Sequence, residues 1–258
     1  MSAHFFNTSG RSAVGLVRQG NEDSGFISPQ LIAVADGMGG HAAGEVASRI
    51  AVEVLQSLSP SLTSEEIDED SVKDLLMHSL HSIDVEISVV TEEENEKRGM
   101  GTTLTALLIR DKFISLLHVG DSRCYRLRGN TLEQLSNDHT VIQELLDQGA
   151  ITAAEAVEHP QRSMLTQALR GDGDVTPVLQ MYEIKRGDRY LLCSDGLSGV
   201  LTEKEIKVGL KKSDRDEAVK FLVDATYING APDNVTVLIA DISESSTTLA
   251  TLLGAAHE

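Results

Sequence analysis

The 258-residue chain has no tryptophan, and aromatic residues make up only 3% of it. Aliphatic side chains must therefore fill whatever core it builds. Cysteine is nearly as scarce: Cys124 and Cys193 are the two, both inside apolar segments that read as strands. Two thiols so placed argue against a disulfide scaffold and fit a reduced, cytoplasmic chain. No run of Lys or Arg interrupts a formal net charge of -18, so a nucleic-acid backbone would be repelled. No stretch approaches the ~20 apolar residues of a membrane span. Nor does a basic segment followed by an apolar one open the sequence, as in a secretory leader. A soluble, monomeric, cytoplasmic protein is expected, with neither a nucleic-acid nor a membrane partner.

What is present is ordinary globular composition, 41% hydrophobic and 24% charged, in a length that suits one large domain or two small ones. Ser12–Arg18 and Leu31–Ala35 read as strands. Val46, Ile50, Ala51, Val54, Leu55 and Leu58 repeat at helical spacing and predict a helix from about Ala43. Val72, Leu75, Leu76, Leu80, Ile83 and Ile87 predict a second, after an acidic link at Ser59–Asp70. Thr102–Leu135 reads as an antiparallel meander with turns at Asp111-Lys112 and Gly129-Asn130; its strand Phe113–Val119, apolar on nearly both faces, should be covered on both sides. Residues 139–174, with short helical pieces and several glycines, resemble a lid. Asp188–Ser194 and Asn234–Asp241 read as strands, Glu203–Leu210 and Asp214–Ile228 as helices. The Ser/Thr/Ala-rich stretch 243–258 is expected to be a flexible tail on a folded unit at 1–242. Strand runs flanked by helix runs predict an α+β fold of stacked antiparallel sheets with helices outside.

Acidic residues punctuate the strand ends: Asn21-Glu22-Asp23, Asp36-Gly37, Gly120-Asp121-Ser122, Asp195-Gly196 and Asp233-Asn234. Singly, each is an ordinary turn or helix cap. If several met at one rim, carboxylates so close could not all ionise without cations. Oxygen ligands of this kind suit Mg²⁺ or Mn²⁺, and no Cys/His cluster of zinc spacing competes. Whether the strand ends converge is not decided by these residues alone.

The segment Asp36-Gly37-Met38-Gly39-Gly40-His41-Ala42-Ala43-Gly44-Glu45 resembles the signature of bacterial metal-dependent PPM-type (2C-type) serine/threonine protein phosphatases. Further family motifs stand in order: Arg18-Gln19-Gly20-Asn21-Glu22-Asp23, Gly101-Thr102-Thr103, Gly120-Asp121-Ser122-Arg123, Ser194-Asp195-Gly196-Leu197 and Pro232-Asp233-Asn234-Val235-Thr236. They run from residue 15 to about 241. The resemblance implies a four-layer αββα sandwich with two Mn²⁺ or Mg²⁺ ions at one end, and hydrolysis of phosphoserine and phosphothreonine by a water bridging the two ions.

By the same likeness, Asp36 would bridge the ions and the Gly37 carbonyl would bind one, the residue being glycine so that nothing obstructs that carbonyl. Asp195 and Asp233 would hold the other side. Glu22 and Asp23 would lie in an outer shell, with Asn234 orienting Asp233. Arg18 would grip the phosphate. Asp121, with Ser163 from the flap at about 139–174, would form a weaker third metal site; a simple turn cap is the other reading of Asp121. His41 would protonate the leaving oxygen or merely pin its loop, since Met38 stands where eukaryotic members carry histidine. Cys193 reads as core packing, without the phosphate-cradling loop a cysteine phosphatase needs. The implied partners are phosphoprotein substrates, including a Ser/Thr kinase that the enzyme opposes. A partner-switching or phosphoprotein-binding regulator of the same fold, with weak catalysis, is the alternative; a calcium-binding domain would need an EF-hand-like loop, and none is found.

Overall fold

The computed structural model describes residues 4–39, 43–64, 66–157 and 159–257. In chain order the strands and helices are Phe5–Ala13 (β1), Asp23–Ile27 (β2), Leu31–Met38 (β3), Gly44–Leu62 (α1), Glu69–Glu93 (α2), Gly101–Thr102 (β4), Leu104–Arg110 (β5), Phe113–Val119 (β6), Arg123–Arg128 (β7) and Thr131–Gln134 (β8). Then come Val141–Asp147 (α3), Ala153–Val157 (α4), Val178–Glu183 (β9), Arg189–Cys193 (β10), Asp195–Ser198 (α5), Glu203–Leu210 (α6), Arg215–Ile228 (α7), Val235–Ser243 (β11) and Thr251–Gly254 (β12). One sheet is five-stranded, ordered β1-β11-β10-β7-β8; the other is seven-stranded, ordered β12-β2-β3-β5-β6-β9 with β4 on β3.

Alternation along the strands builds the four layers. On β3, Ile32 and Val34 point between the sheets, where they meet Leu192 and Leu238, while Ala33 and Ala35 point outward under α1 and α2. On the other sheet, Leu191 and Cys193 of β10 pack outward against Ile206 and Leu222 of α6 and α7. The fold is thus the α+β, αββα sandwich expected, with apolar matter in three slabs. Helices α2, α3, α6 and α7 begin on side-chain caps: Asp68 accepts the Ser71 N–H at 2.8 Å, for example, and Thr202 with Glu205 forms a capping box. Each such cap is worth about 1 kcal/mol. The two thiols are free and buried, and no described helix is long and apolar enough to cross a membrane.

Four expectations need correction. The first strand is Phe5–Ala13, not Ser12–Arg18, because β1 pairs residue for residue with β11 from Phe5↔Ser243 to Ala13↔Val235 and Gly15 (φ 82°) then turns the chain away. Helix α1 continues through Pro60 to Leu62, which shortens the acidic link. The supposed meander is divided between the two sheets: β6 pairs with β5 and β9, whereas β7 pairs with β8 and β10. Gly120, at φ 101°, swings the chain across. The supposed flexible tail returns to the sandwich, where Thr251–Gly254 pairs with Ser24–Ile27 as an edge strand.

Candidate metal centre

The sheets deliver acidic side chains to one end of the sandwich. β2 and β3 run antiparallel with Asp23 directly opposite Asp36. Each shares strand parity with residues that face the other sheet, Ile27 and Val34, so both carboxyls point into the sandwich at its mouth. From the five-stranded sheet, Asp195 opens α5 directly after β10, and Asp233 stands two residues before the neighbouring β11. Asp121 lies in the crossing from β6 to β7.

Mutual repulsion records the convergence. The Asp36 carboxyl is held well above the ordinary carboxylate range, first by lost hydration and then by Asp23, Asp195, Asp121 and Asp233. Asp23, 1% exposed, is pushed up to about 7 by burial, even though Ser194 and Thr236 stabilise its anion. Asp121 also rises to about 7, through burial and then Asp195 and Asp138. Asp195 rises through burial and Asp233, its carboxyl near enough to Asp36 to share a proton. Asp36, Asp121 and Asp195 keep some accessible surface. Asp121 and Asp195 turn that surface to a shared cleft, and dehydration still leads at all three.

Asp121, Ser163, Asp195 and Asp233 line one cleft of about 580 Å³, roofed by Thr140, Ile142 and Leu146 of the 139–174 segment. Ser163 and Asp121 therefore line the same cavity. Arg18 stands at its edge, 48% exposed, donating from Nη2 to Asp233 Oδ2 at 2.8 Å and lying 3.7 Å from Glu22 Oε2. The Glu22 carboxyl is raised by burial, with Arg18 opposing. His41 lies outside the described residues.

Two assigned reasons change. Gly37 is glycine because a Cβ would stand 2.1 Å from the Gly44 carbonyl oxygen and 2.6 Å from that of Glu22: close approach of the α1 start decides it, not clearance of its own carbonyl. Asn234 does not use its side chain on Asp233. Its amide donates to the carbonyls of Val14 and Gly20 at 2.9 Å and accepts the Glu22 N–H at 2.8 Å. It thereby holds the loop that carries Arg18, while its backbone N–H donates to Asp233 at 2.8 Å.

Several supporting groups had no role in the sequence reading. Ser194 donates to Asp23 at 2.7 Å and accepts the Thr236 N–H at 3.0 Å, tying the two sheets beneath the carboxylates. Arg123 forks onto Asp138 at 2.6–2.9 Å, fixing the near end of the 139–174 segment beside Asp121. Their only sequence signal is a hydroxyl or an ion-pair type next to an acidic strand end. Cys193 is core: burial pushes its thiol up to about 12, so no thiolate nucleophile is available.

The donor set fits hard divalent cations. It is all oxygen, crowded and dehydrated, with the Arg18 guanidinium on Asp233 at its rim. Among the described residues no three acidic, imidazole or thiol side chains are already gathered round a single point. Asp23 nonetheless stands opposite Asp36, Asp121, Asp195 and Asp233 line one cleft, and Asp233 is engaged by Arg18.

A family model described as protein phosphatase 2C matches residues 19–228. The serine/threonine protein phosphatase PstP of Mycobacterium tuberculosis is 44% identical over 235 residues, covering 90% of this chain and 44% of that protein, so the chain spans less than half of that relative's length. The serine/threonine phosphatase stp of Listeria welshimeri is 37% identical over 242 residues, covering 90% of this chain and 94% of its own. The crystal structure of the PstP catalytic domain in complex with 2 manganese ions shares the backbone with a TM-score of 0.85 at 40% identity, over 93% of this chain and 99% of that one. A family model over most of the sequence, relatives well above 30% identity and a common sandwich lead to one assignment: the chain belongs to the protein phosphatase 2C family, in its bacterial PPM branch.

Proposed function

We propose that this protein removes phosphate from phosphoserine and phosphothreonine in proteins, with two Mn²⁺ or Mg²⁺ ions at the carboxylate centre. The observation that carries the reading is the gathering of carboxylates at one sandwich end, where Asp23 stands opposite Asp36 and Asp121, Asp195 and Asp233 line one cleft. Such a set is costly to keep for packing alone. Asp36, the Gly37 carbonyl, Asp195 and Asp233 would hold the ions, and Asp121 with Ser163 a weaker third. When bound, the ions acidify water and offset charge on the phosphoryl oxygens.

The protein's own groups then have separate tasks. Arg18, half in solvent, presents a planar fork to two phosphoryl oxygens. Glu22 and Asp23 accept hydrogen bonds from water in the centre, Asp23 being oriented by Ser194. Asn234 keeps Arg18 and Glu22 in place through their loop. His41 supplies a proton to the departing serine or threonine oxygen. The roof over the cleft limits which phosphoproteins enter and how products leave. Buried free thiols support a reducing, cytoplasmic setting, and the names of the relatives support phosphoserine and phosphothreonine proteins as substrates, to which the reading adds a Ser/Thr kinase that the enzyme opposes. The test is phosphate release from a phosphothreonine peptide by the protein stripped with EDTA and reloaded with Mn²⁺. Turnover that needs the reloading is expected; turnover that survives exhaustive stripping refutes the reading.

A further inference from the structure

A guanidinium at the Met38 rim of the centre has no acidic partner among the described residues. Arg170 is exposed, and its Nη2 lies 3.8 Å from the sulfur of Met38, the residue that closes β3 two positions beyond Asp36. Its stem lies across Gly101, where a Cβ would meet the Arg170 Cγ and the Leu169 carbonyl oxygen, each at 2.9 Å. The glycine thus makes room both for the paired backbone at Leu169 and for the Arg170 stem.

The backbone beneath Arg170 is held from two sides. Leu169 exchanges both backbone hydrogen bonds with Thr102, at 2.9 Å each. Asp84 of α2, 8% exposed, accepts the Arg170 and Gly171 N–H groups on Oδ1 at 3.2 and 2.7 Å, and the Gly173 N–H on Oδ2 at 2.7 Å. A buried carboxylate with no cation costs several kcal/mol unless hydrogen bonds replace its water. Here three amides of one turn do so and fix a segment whose glycines would otherwise leave it loose. Arg170 is an exposed cation on a firmly held backbone.

Its surroundings are otherwise of one sign. Arg18, on the side of the five-stranded sheet, is engaged by Asp233 and Glu22. Arg162 lines the cleft beside Ser163 instead of this rim. The chain carries a net charge of -18, so an acidic segment approaching this rim is repelled except where Arg170 stands. We propose that Arg170 is a specificity-determining residue that pairs with an acidic side chain flanking the phosphorylated serine or threonine of the substrate. This deepens the phosphoprotein phosphatase reading and rests on it.

The test compares phosphothreonine peptides with glutamates immediately before, glutamates immediately after, or alanines on both sides, together with p-nitrophenyl phosphate, which has no flanks. With the Mn²⁺-loaded wild type, kcat/KM should favour one glutamate peptide over the alanine peptide by roughly two- to fivefold, the size of an exposed ion pair. High salt should shrink the preference. R170M, which keeps the aliphatic stem over Gly101, should erase it while leaving p-nitrophenyl phosphate and the alanine peptide unchanged; R162M should retain it. No preference in the wild type, its survival in R170M, its loss in R162M alone, or an equal loss on every substrate overturns the assignment. No turnover of any substrate by the Mn²⁺-loaded wild type overturns the phosphatase reading instead.

Discussion

Stripping the metal should make this protein progressively less stable as pH rises from about 5 to 8, the reverse of ordinary acid denaturation. The physical basis is clearest at Asp23, whose carboxyl goes from an ordinary 3.8 to about 7 because it is dehydrated and faces Asp195 and Asp233. A group whose folded pKa exceeds its unfolded one stabilises the fold fully only below the unfolded value. That contribution is lost as pH climbs through the folded value. For Asp23 the difference between 3.8 and about 7 corresponds to on the order of 4 kcal/mol. Asp121 moves in the same direction, but the two share Asp195 as neighbour and do not add. The Arg128–Asp188 pair works oppositely, its carboxyl lowered, yet it is lost only at more acid pH, below this window. The loss runs from pH 3.8 to about 7, so the part above pH 5 is on the order of 3 kcal/mol, which moves Tm by about 8 °C in a domain of this size. Thermal unfolding in EDTA should therefore show Tm falling by about that much between pH 5 and 8, with the curve levelling above about pH 7. With Mn²⁺ the fall should largely vanish, because cations neutralise the centre and bind its ionised form best. Asp23→Asn in EDTA should flatten the slope. A metal-free Tm that stays level or rises over this range, or a Mn²⁺ stabilisation equal at both ends, refutes the reasoning.

Asp36→Asn should abolish turnover of phosphothreonine peptide, since the carboxyl repelled by four others is the one most in need of cations; calorimetric Mn²⁺ titration should show weakened binding in parallel. Arg18→Ala should raise KM for phosphate monoesters by roughly tenfold, the loss of one charge-assisted contact of 1.5–3 kcal/mol net of its exposure, while Mn²⁺ affinity stays level or increases because Asp233 loses its guanidinium partner. A collapse of metal affinity in that variant would make Arg18 structural. His41→Ala should slow release of threonine far more than release of p-nitrophenol, whose anion needs no proton to leave. Equal slowing of both assigns His41 to its loop.

The long helices and the apolar strands were legible because burial imposes periods of 3.6 and 2 on side chains that cannot face water. The strands that escaped notice have other reasons to exist. Asp23–Ile27 begins Asp-Ser-Gly, a turn by composition, and is a strand because β3 and β12 bond both its edges. Val178–Glu183 is a half-exposed edge strand without clear alternation. The split meander shows the same limit. Hairpin turns announce which neighbours pair, but nothing local told β7 to leave β6 for β10. The acidic strand ends were visible as types and positions. Their meeting was not, because it depends on β2–β3 register and on β10 lying beside β11, both set by contacts far apart in sequence.

The Gly101-Thr102-Thr103 motif shows how a signature acquires a cause once the sheets are assembled. Gly101 leaves space for the Arg170 stem. Thr102 bonds Leu169 through its backbone and donates its hydroxyl to the Asp36 carbonyl at 3.0 Å. Thr103 donates its N–H to that carbonyl at 2.9 Å, accepts the Asp36 N–H on Oγ1 at 3.0 Å, and meets Ser122 at 2.8 Å. Three consecutive residues thus clamp the backbone of the most repelled carboxylate, the far root of the cleft's roof and the crossing that carries Asp121. A side chain under such repulsion would drift outward on a loose backbone. Holding the peptide on both sides of Asp36 keeps the carboxyl where only cations, and not movement, can relieve it.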